Sequence, residues 1–172
     1  MKTFTIIGGV NGTGKSSLLG VLSTVTKDMG FVFNNSESFD SGIDDCLPKG
    51  VSFTQETTLS GHKTEKTAAR AKNLGYTIRL YYVGLDTVQE CLDRIENRVR
   101  HGGHNIREDD VIRRFAGRWE AVAKVLPYCD IAYFYDNYNG FRKTAEYVNG
   151  EFIIMGDDSP KWTSELRDYL KR

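Results

Sequence analysis

Hydrophobic residues first gather at Phe4, Ile6 and Ile7, a short run ending in Gly8-Gly9 that reads as a buried strand. From Lys15 the spacing lengthens, and Leu18, Leu19, Leu22, Val25 and Met29 recur on one helical face up to Gly30. Phe31, Val32 and Phe33 form a second short strand, which runs into a polar stretch over 34–50 whose composition is that of a loop. Residues 51–55 read as a third strand, and 62–73 as a helix stopped by Gly75. The strongest strand signal lies at 76–83, where Tyr, Thr, Ile, Leu and Val follow almost without a break.

Asp86 then stands where a cap is expected for a helix whose Val88, Cys91, Leu92, Ile95 and Val99 share a face. His101-Gly-Gly-His104 interrupts the pattern. Residues 108–126 resume it as one amphipathic helix, with Val111, Ile112, Phe115, Trp119, Val122 and Leu126 inward. A strand at 131–135 is followed by two more, 142–148 and 152–155, joined by Asn149-Gly150, the preferred pair for a type I′ hairpin turn. Ser159 as N-cap and Pro160 in the first helical position open a last helix that runs towards Arg172. Strands alternating with helices predict an α/β sandwich with a mainly parallel sheet.

With 172 residues the chain fits one domain, and it needs neither disulfides nor metal to fold. Lys+Arg and Asp+Glu are balanced at 23 each, so no charge excess points to nucleic acid or an anionic membrane as partner. Cys46, Cys91 and Cys129 are too far apart for a CxxC or zinc pattern and suit unpaired thiols in a reducing compartment. The N-terminal apolar run is too short for a signal peptide, and no stretch reaches the ~20 apolar residues of a membrane span. A cytoplasmic protein is expected.

One segment carries specific chemistry. Gly9-Val-Asn11-Gly12-Thr13-Gly14-Lys15-Ser16 satisfies G-x-x-x-x-G-K-S/T at every fixed position, between an apolar strand and an amphipathic helix. Glycines let backbone N–H groups turn inward around phosphate oxygens, and the new helix points its positive end at the same anion. Lys15 reaches the β/γ-phosphates of ATP, and the Ser16 hydroxyl is a Mg²⁺ ligand. Ser17 follows in the first helical turn. The fold class expected is therefore a P-loop NTPase three-layer sandwich with a small lid.

Phosphoryl transfer also asks for positive charge and a base near the acceptor hydroxyl. Glu56, just beyond the third predicted strand, is placed to hold an acceptor hydroxyl or the Mg²⁺ shell, with Thr57 and Thr58 adding hydrogen bonds. A helix-terminal acid is the plainer alternative. Residues 98–118 hold an arginine set broken by Gly102-Gly103, the composition of a lid that closes over nucleotide. Within it Arg114 and Arg118 flank the apolar helix face, whereas Arg113 falls with Gly117, Glu120 and Lys124 on the solvent side. Arg114, then Arg118, are the expected phosphate contacts, with Arg98 and Arg107 flanking the lid. His104 either joins the acceptor site or caps the next helix.

Glu56-Thr-Thr-Leu-Ser-Gly61, Tyr81-Tyr-Val-Gly-Leu85, Arg98-Val-Arg-His-Gly-Gly-His104 and Arg113-Arg-Phe115 together resemble the zeta-toxin-like kinases over nearly the whole chain. The resemblance implies an ATP-dependent kinase that phosphorylates a sugar hydroxyl of UDP-N-acetylglucosamine, and, because several members are toxins, an antitoxin partner. Relatives carry Asn-x-Asp-Glu after the second strand, with its Asp as general base. Here the run is Asn34-Asn-Ser-Glu37-Ser-Phe-Asp40. With Asn35 in register Glu37 is the base; with Asn34 in register Ser36 replaces it and Asp40 must reach in. Residues 41–50 look too few for the helix that relatives place next, which opens the identity of the acceptor. Two alternatives stand beside the nucleotide-sugar kinase: a small-metabolite or nucleotide kinase, and an ATP-binding regulatory module that transfers nothing.

Overall fold

A computed structural model describes residues 1–34 and 38–172, with residues 38–40 described by their backbone. Strand β1 (Thr3–Gly8) is buried at all six positions, as a strand with neighbours on both edges and helices on both faces must be. It lies between β3 (Phe53–Thr57) and β4 (Thr77–Gly84), parallel to both. Parallel pairing extends outward to β2 (Phe31–Phe33) beside β3 and to β5 (Ile131–Asp136) beside β4. The hairpin β6 (Arg142–Val148) and β7 (Glu151–Ile154) adds two antiparallel strands, giving the order β2-β3-β1-β4-β5-β6-β7. Its turn has Asn149 and Gly150 both at positive φ, 55° and 79°, as a type I′ turn demands.

Helix α1 (Lys15–Val25) covers one face of the sheet, packing Leu18 and Leu22 on Ile7, Tyr81 and Val83. The other face carries four helices: α2 (Ser38–Lys49), α3 (Lys63–Asn73), α6 (Arg118–Val125) and α7 (Lys161–Leu170). Their shared core joins Leu47, Ala71, Val122 and Trp162 to Phe4, Phe53, Leu80 and Phe134 of the strands. Helices α4 (Val88–Arg100) and α5 (Glu108–Ala116) close a third, smaller cluster around Val10, Leu85, Cys91 and Val111. That cluster lies directly against the residues that follow β1. Among the described residues no helix is long and apolar enough to cross a membrane.

Five expectations are corrected. The polar stretch after β2 is not a loop, because α2 occupies 12 of its residues. Ile43, Cys46 and Leu47 repeat at helical spacing and are buried against the main core. Burying an Ile and a Leu side chain is worth roughly 1.5–3 kcal/mol each, enough to outweigh poor helix formers on the exposed side. The segment is therefore long enough for a helix.

The expected single helix over 108–126 is two, parted at Gly117, where ψ is 10° rather than helical. The break lets α5 turn Val111 towards α4 while α6 lays Trp119 and Val122 on the sheet. Ile112 consequently ends 43% exposed rather than inward.

Two caps also move. Thr87, not Asp86, caps α4 in a reciprocal pair with Glu90. Asp86 instead accepts the Trp162 backbone N–H of α7 at 2.8 Å, and Pro160 takes the cap position expected of Ser159. Lastly, β3 runs to Thr57, so Glu56 is inside the strand rather than past its end.

Candidate active site

Sheet register builds the site. Ile7 pairs with Glu56 and Gly8 with Thr57, so the chain leaving β1 starts beside the acidic end of β3. It makes a tight loop in which the Thr13 hydroxyl donates to the Val10 carbonyl at 2.8 Å and the Thr13 N–H donates to the same oxygen at 3.2 Å. Gly12 and Gly14 have φ of +86° and +104°, which side chains rarely tolerate. Space forbids a side chain as well: a β-carbon would meet the Cys91 carbonyl oxygen from Gly12 and the Asn137 amide from Gly14. Helix α1 begins at the next residue, so its unpaired N–H groups face the loop's concave side.

The loop borders an open cleft of about 740 Å³ at the C-terminal ends of the parallel strands. Asn11, Gly12, Gly14, Lys15, Ser16 and Ser17 line its floor. Glu56, Thr57 and Thr58 form the wall on the β3 side; Arg98, in the last turn of α4, and His104, just beyond it, line the cleft as well. Gly9 lies at the base of the loop, and Thr13 is buried behind it with its side chain turned inward.

Within the cleft the Ser16 hydroxyl donates to Glu56 Oε1 at 2.7 Å. Lys15 Nζ donates to the Val10 carbonyl at 3.4 Å, a long bond that leaves the ammonium poorly satisfied. Burial pushes the Lys15 ammonium down from 10.5 to about 8; Arg98 and Arg114 push the same way, and Glu56 and Cys91 oppose. A cation held in that state gains from any anion that enters. Thr57 is committed to the turn, its hydroxyl accepting the Leu59 N–H at 3.0 Å, whereas the Thr58 hydroxyl pairs with that of Ser60 at 2.8 Å.

The arginines divide. Arg98 Nη2 reaches the His104 carbonyl at 3.5 Å, so the turn through Gly102-Gly103 folds back on α4 beside the cleft. Arg114 donates to the Asn11 side chain at 2.9 Å, bracing the phosphate loop from α5, and its buried Nε has no hydrogen-bond partner among the described residues. Arg107 begins α5 along a separate groove with Asp93 and Glu96. Arg118 is turned away from the cleft altogether. Its guanidinium lies 3.8 Å from the Phe115 ring centroid and 4.2 Å from that of Trp119, and pairs with Glu165 at 3.3 Å. The apolar face that Arg118 flanks is the one packed on α7, so nearness to that face carried it inward rather than to the cleft. Arg113 is on the solvent side, as its helical position implies, paired with Asp110.

Glu37 lies outside the described residues. Asp40 falls in the first turn of α2, a helix that starts just after β2 at the same end of the sheet, but its side chain is likewise outside them. Two polar cleft residues escaped the sequence reading, as did Ile106. Asn137, after β5, donates its side-chain N–H to the Thr13 carbonyl at 2.9 Å, and Arg94 of α4 lines the same cleft. The position of Asn137 at the end of a parallel strand was the available signal; Arg94 stood on a helix face with nothing to mark it.

No family model matches the chain. An uncharacterised protein of Haemophilus influenzae is 40% identical over 69 residues, which are 40% of this chain and 49% of that protein. The chain thus spans about half the length of the curated relative it matches. Among solved structures, one from the PezAT chromosomal toxin–antitoxin system of Streptococcus pneumoniae superposes with a TM-score of 0.60 at 12% identity, covering 99% of this chain and 85% of that one. The fold is zeta-toxin-like. A de novo designed P-loop protein aligns over 74% of this chain and 96% of its own at 18% identity, with a TM-score of 0.40. The likeness lies in the mixed α/β architecture, a mostly parallel seven-stranded sheet with its helices.

Proposed function

We propose that the protein is an ATP-dependent kinase that transfers the γ-phosphoryl group to a hydroxyl of a small acceptor, with UDP-N-acetylglucosamine the first acceptor to try. The observation that carries this reading is the meeting of the glycine loop, Lys15 and the Ser16–Glu56 pair in one open cleft. A nucleotide-binding switch needs the loop; a kinase needs in addition a carboxylate and spare cations facing the place where phosphate would sit. Glu56 and Arg98 meet that need in the cleft, and Arg114 braces Asn11 of the loop from α5.

The donor set suits the substrates. Loop N–H groups and Lys15 would hold the phosphates of ATP, and the Ser16 hydroxyl with Glu56 would hold Mg²⁺, a hard cation that prefers oxygen ligands. Mg²⁺ would neutralise charge on the phosphate oxygens during transfer. Arg98 and Arg114 would add fixed positive charge on the lid side. A carboxylate near the start of α2, Glu37 or Asp40, would take the proton from the acceptor hydroxyl as its oxygen bonds to phosphorus and ADP leaves. The likeness to a toxin–antitoxin structure supports a protein antitoxin as partner, the three free cysteines suit a cytoplasmic protein, and the balanced charge gives no electrostatic reason to add a nucleic-acid or membrane partner.

The test is direct. Purified protein is incubated with Mg-ATP and a panel of UDP-sugars, nucleosides and free sugars, and mass spectrometry looks for an added phosphate. Phosphorylation of a UDP-sugar supports the toxin-type kinase, and phosphorylation of another acceptor supports a metabolite kinase. ATP bound with no acceptor modified would replace the kinase by a regulatory ATP-binding module.

A further inference from the structure

We infer that Asp136 is a positioning residue: gripped by Trp162 in the core, it sets the phosphate loop through Asn137. The inference rests on the cleft being a phosphate site. Asp136 ends β5 and is buried, with both oxygens occupied. Oδ1 accepts the Trp162 indole N–H at 2.9 Å, and Oδ2 accepts the Tyr138 backbone N–H at 3.0 Å. Trp162 is itself immobilised, fully buried between Trp119 and Tyr82 and pressed on Gly84, where a β-carbon would come within 2.7 Å of its ring. The carboxylate therefore ties the turn after β5 to a fully buried, closely packed part of the core.

Asn137 sits inside that tie. Its backbone N–H donates to the Gly84 carbonyl at 3.3 Å, and its carbonyl receives Arg94 Nη2 at 2.6 Å. The same guanidinium nitrogen reaches the Tyr138 carbonyl at 3.2 Å. With its backbone pinned on both sides, the Asn137 side chain reaches Thr13 O, the carbonyl between the two positive-φ glycines. Peptide planes next to glycine turn easily, and a turn there would swing loop N–H groups away from a bound phosphate. The amide of Asn137 holds that plane.

Asp136 is the one residue in this chain of contacts whose chemistry cannot be relaxed. Two donors, an indole N–H and a backbone N–H, converge on it from opposite sides, and a carboxylate has two acceptor oxygens to meet them. The amide in Asp136→Asn has one oxygen, so one donor must face an NH₂ group.

Hydrogen–deuterium exchange of the ligand-free protein tests the mechanical link. Asp136→Asn, Trp162→Phe and Asn137→Ala should each raise exchange in peptides covering residues 9–17 while leaving those over α3 unchanged. Asn137→Ala removes no core contact and Trp162→Phe keeps an aromatic ring in place, so the comparison survives if Asp136→Asn fails to fold. Unchanged exchange over residues 9–17 in the folded variants overturns the inference, whatever the protein binds.

Affinity supplies the second readout. Asp136→Asn and Asn137→Ala should each weaken tripolyphosphate binding on the order of tenfold, and the double variant should bind no worse than Asn137→Ala, because Asp136 acts through Asn137. Additive losses, or a loss for ATP with tripolyphosphate unaffected, overturn it. Failure of the wild type to bind either ligand overturns the proposed function and with it the assigned purpose of the tie, while the exchange result still decides whether the tie exists.

Discussion

Ser16, in the first turn of α1, donates its hydroxyl proton to Glu56, the penultimate residue of β3, at 2.7 Å. Forty positions separate the two in sequence. The parallel register that pairs Ile7 with Glu56 brings them together, since the loop from β1 returns over the end of β3. An anion that accepts the hydroxyl proton leaves the oxygen lone pairs facing the cleft, the orientation a metal ligand needs.

Glu56→Gln keeps the size and one acceptor oxygen but removes the charge. The Mg²⁺ concentration needed for half-maximal transfer should rise on the order of 10–100-fold, the usual cost of losing a partner that orients a metal ligand. Binding of metal-free ATP should change little, because the glycine loop and Lys15 are untouched. Titrating activity against Mg²⁺ at saturating ATP checks this, and an unchanged requirement would remove Glu56 from the metal site.

Lys15 predicts a pH dependence. Burial holds its ammonium down at about 8 in the free protein, so an entering phosphate finds it charged well below that pH, half neutral at it and increasingly neutral above it. The contribution of Lys15 to nucleotide affinity should be level up to pH ~7 and fall as pH rises through 8, and binding near pH 8.5 should take up protons. Calorimetry in buffers of different ionisation enthalpy measures that uptake. The sign for folding is opposite. Between about 8 and 10.5 the unfolded chain binds more protons at this residue than the folded one, so its contribution to stability rises with pH across that window. Lys15→Ala should abolish transfer to every acceptor and remove the proton uptake.

Much of this was legible from residue spacing. Short apolar runs located the seven strands of the described sheet, and the G-x-x-x-x-G-K-S spacing the loop, because each is a local pattern enforced by burial or backbone conformation. The solvent side of Arg113 also followed from local geometry. What spacing missed depends on packing between distant segments. Helix α2 was hidden by its polar composition, although Ile43, Cys46 and Leu47 carry the helical period. Arg118 was misplaced because the face it flanks meets α7, a contact made 47 residues away. Asn137 became visible only when β5 was laid beside β4, bringing its amide to Thr13.

Gly12 offers a test of the loop itself. Its φ of +86° and the Cys91 carbonyl behind it leave no room for a methyl group. Gly12→Ala must either strain the backbone, at a cost on the order of 1–3 kcal/mol, or push the loop forward into the phosphate position. ATP affinity should fall at least tenfold. Gly20→Ala, at an open position on α1, should leave affinity unchanged and serves as the control. A Gly12→Ala protein that binds ATP normally would mean that the loop does not hold phosphate in this conformation.

Arg98 and Arg118 should separate cleanly in a paired experiment. Arg98 is exposed on the cleft wall and has one long bond, to a carbonyl, so its removal leaves nothing buried without a partner. Arg98→Ala should leave the melting temperature within a degree or two while lowering kcat on the order of 10²-fold, the cost of losing one fixed charge on a transferring phosphate. Arg118 is 12% exposed, stacks on two aromatic rings and pairs with Glu165. Arg118→Met retains the apolar stem but loses the guanidinium bonds to Phe115 O and Glu165, worth roughly 1–3 kcal/mol together. That is a drop of several degrees in melting temperature for a chain of this length, with the ATP affinity unchanged. If Arg118→Met instead weakened ATP binding at constant stability, the α6–α7 contact would have to open when nucleotide binds and deliver Arg118 to the cleft.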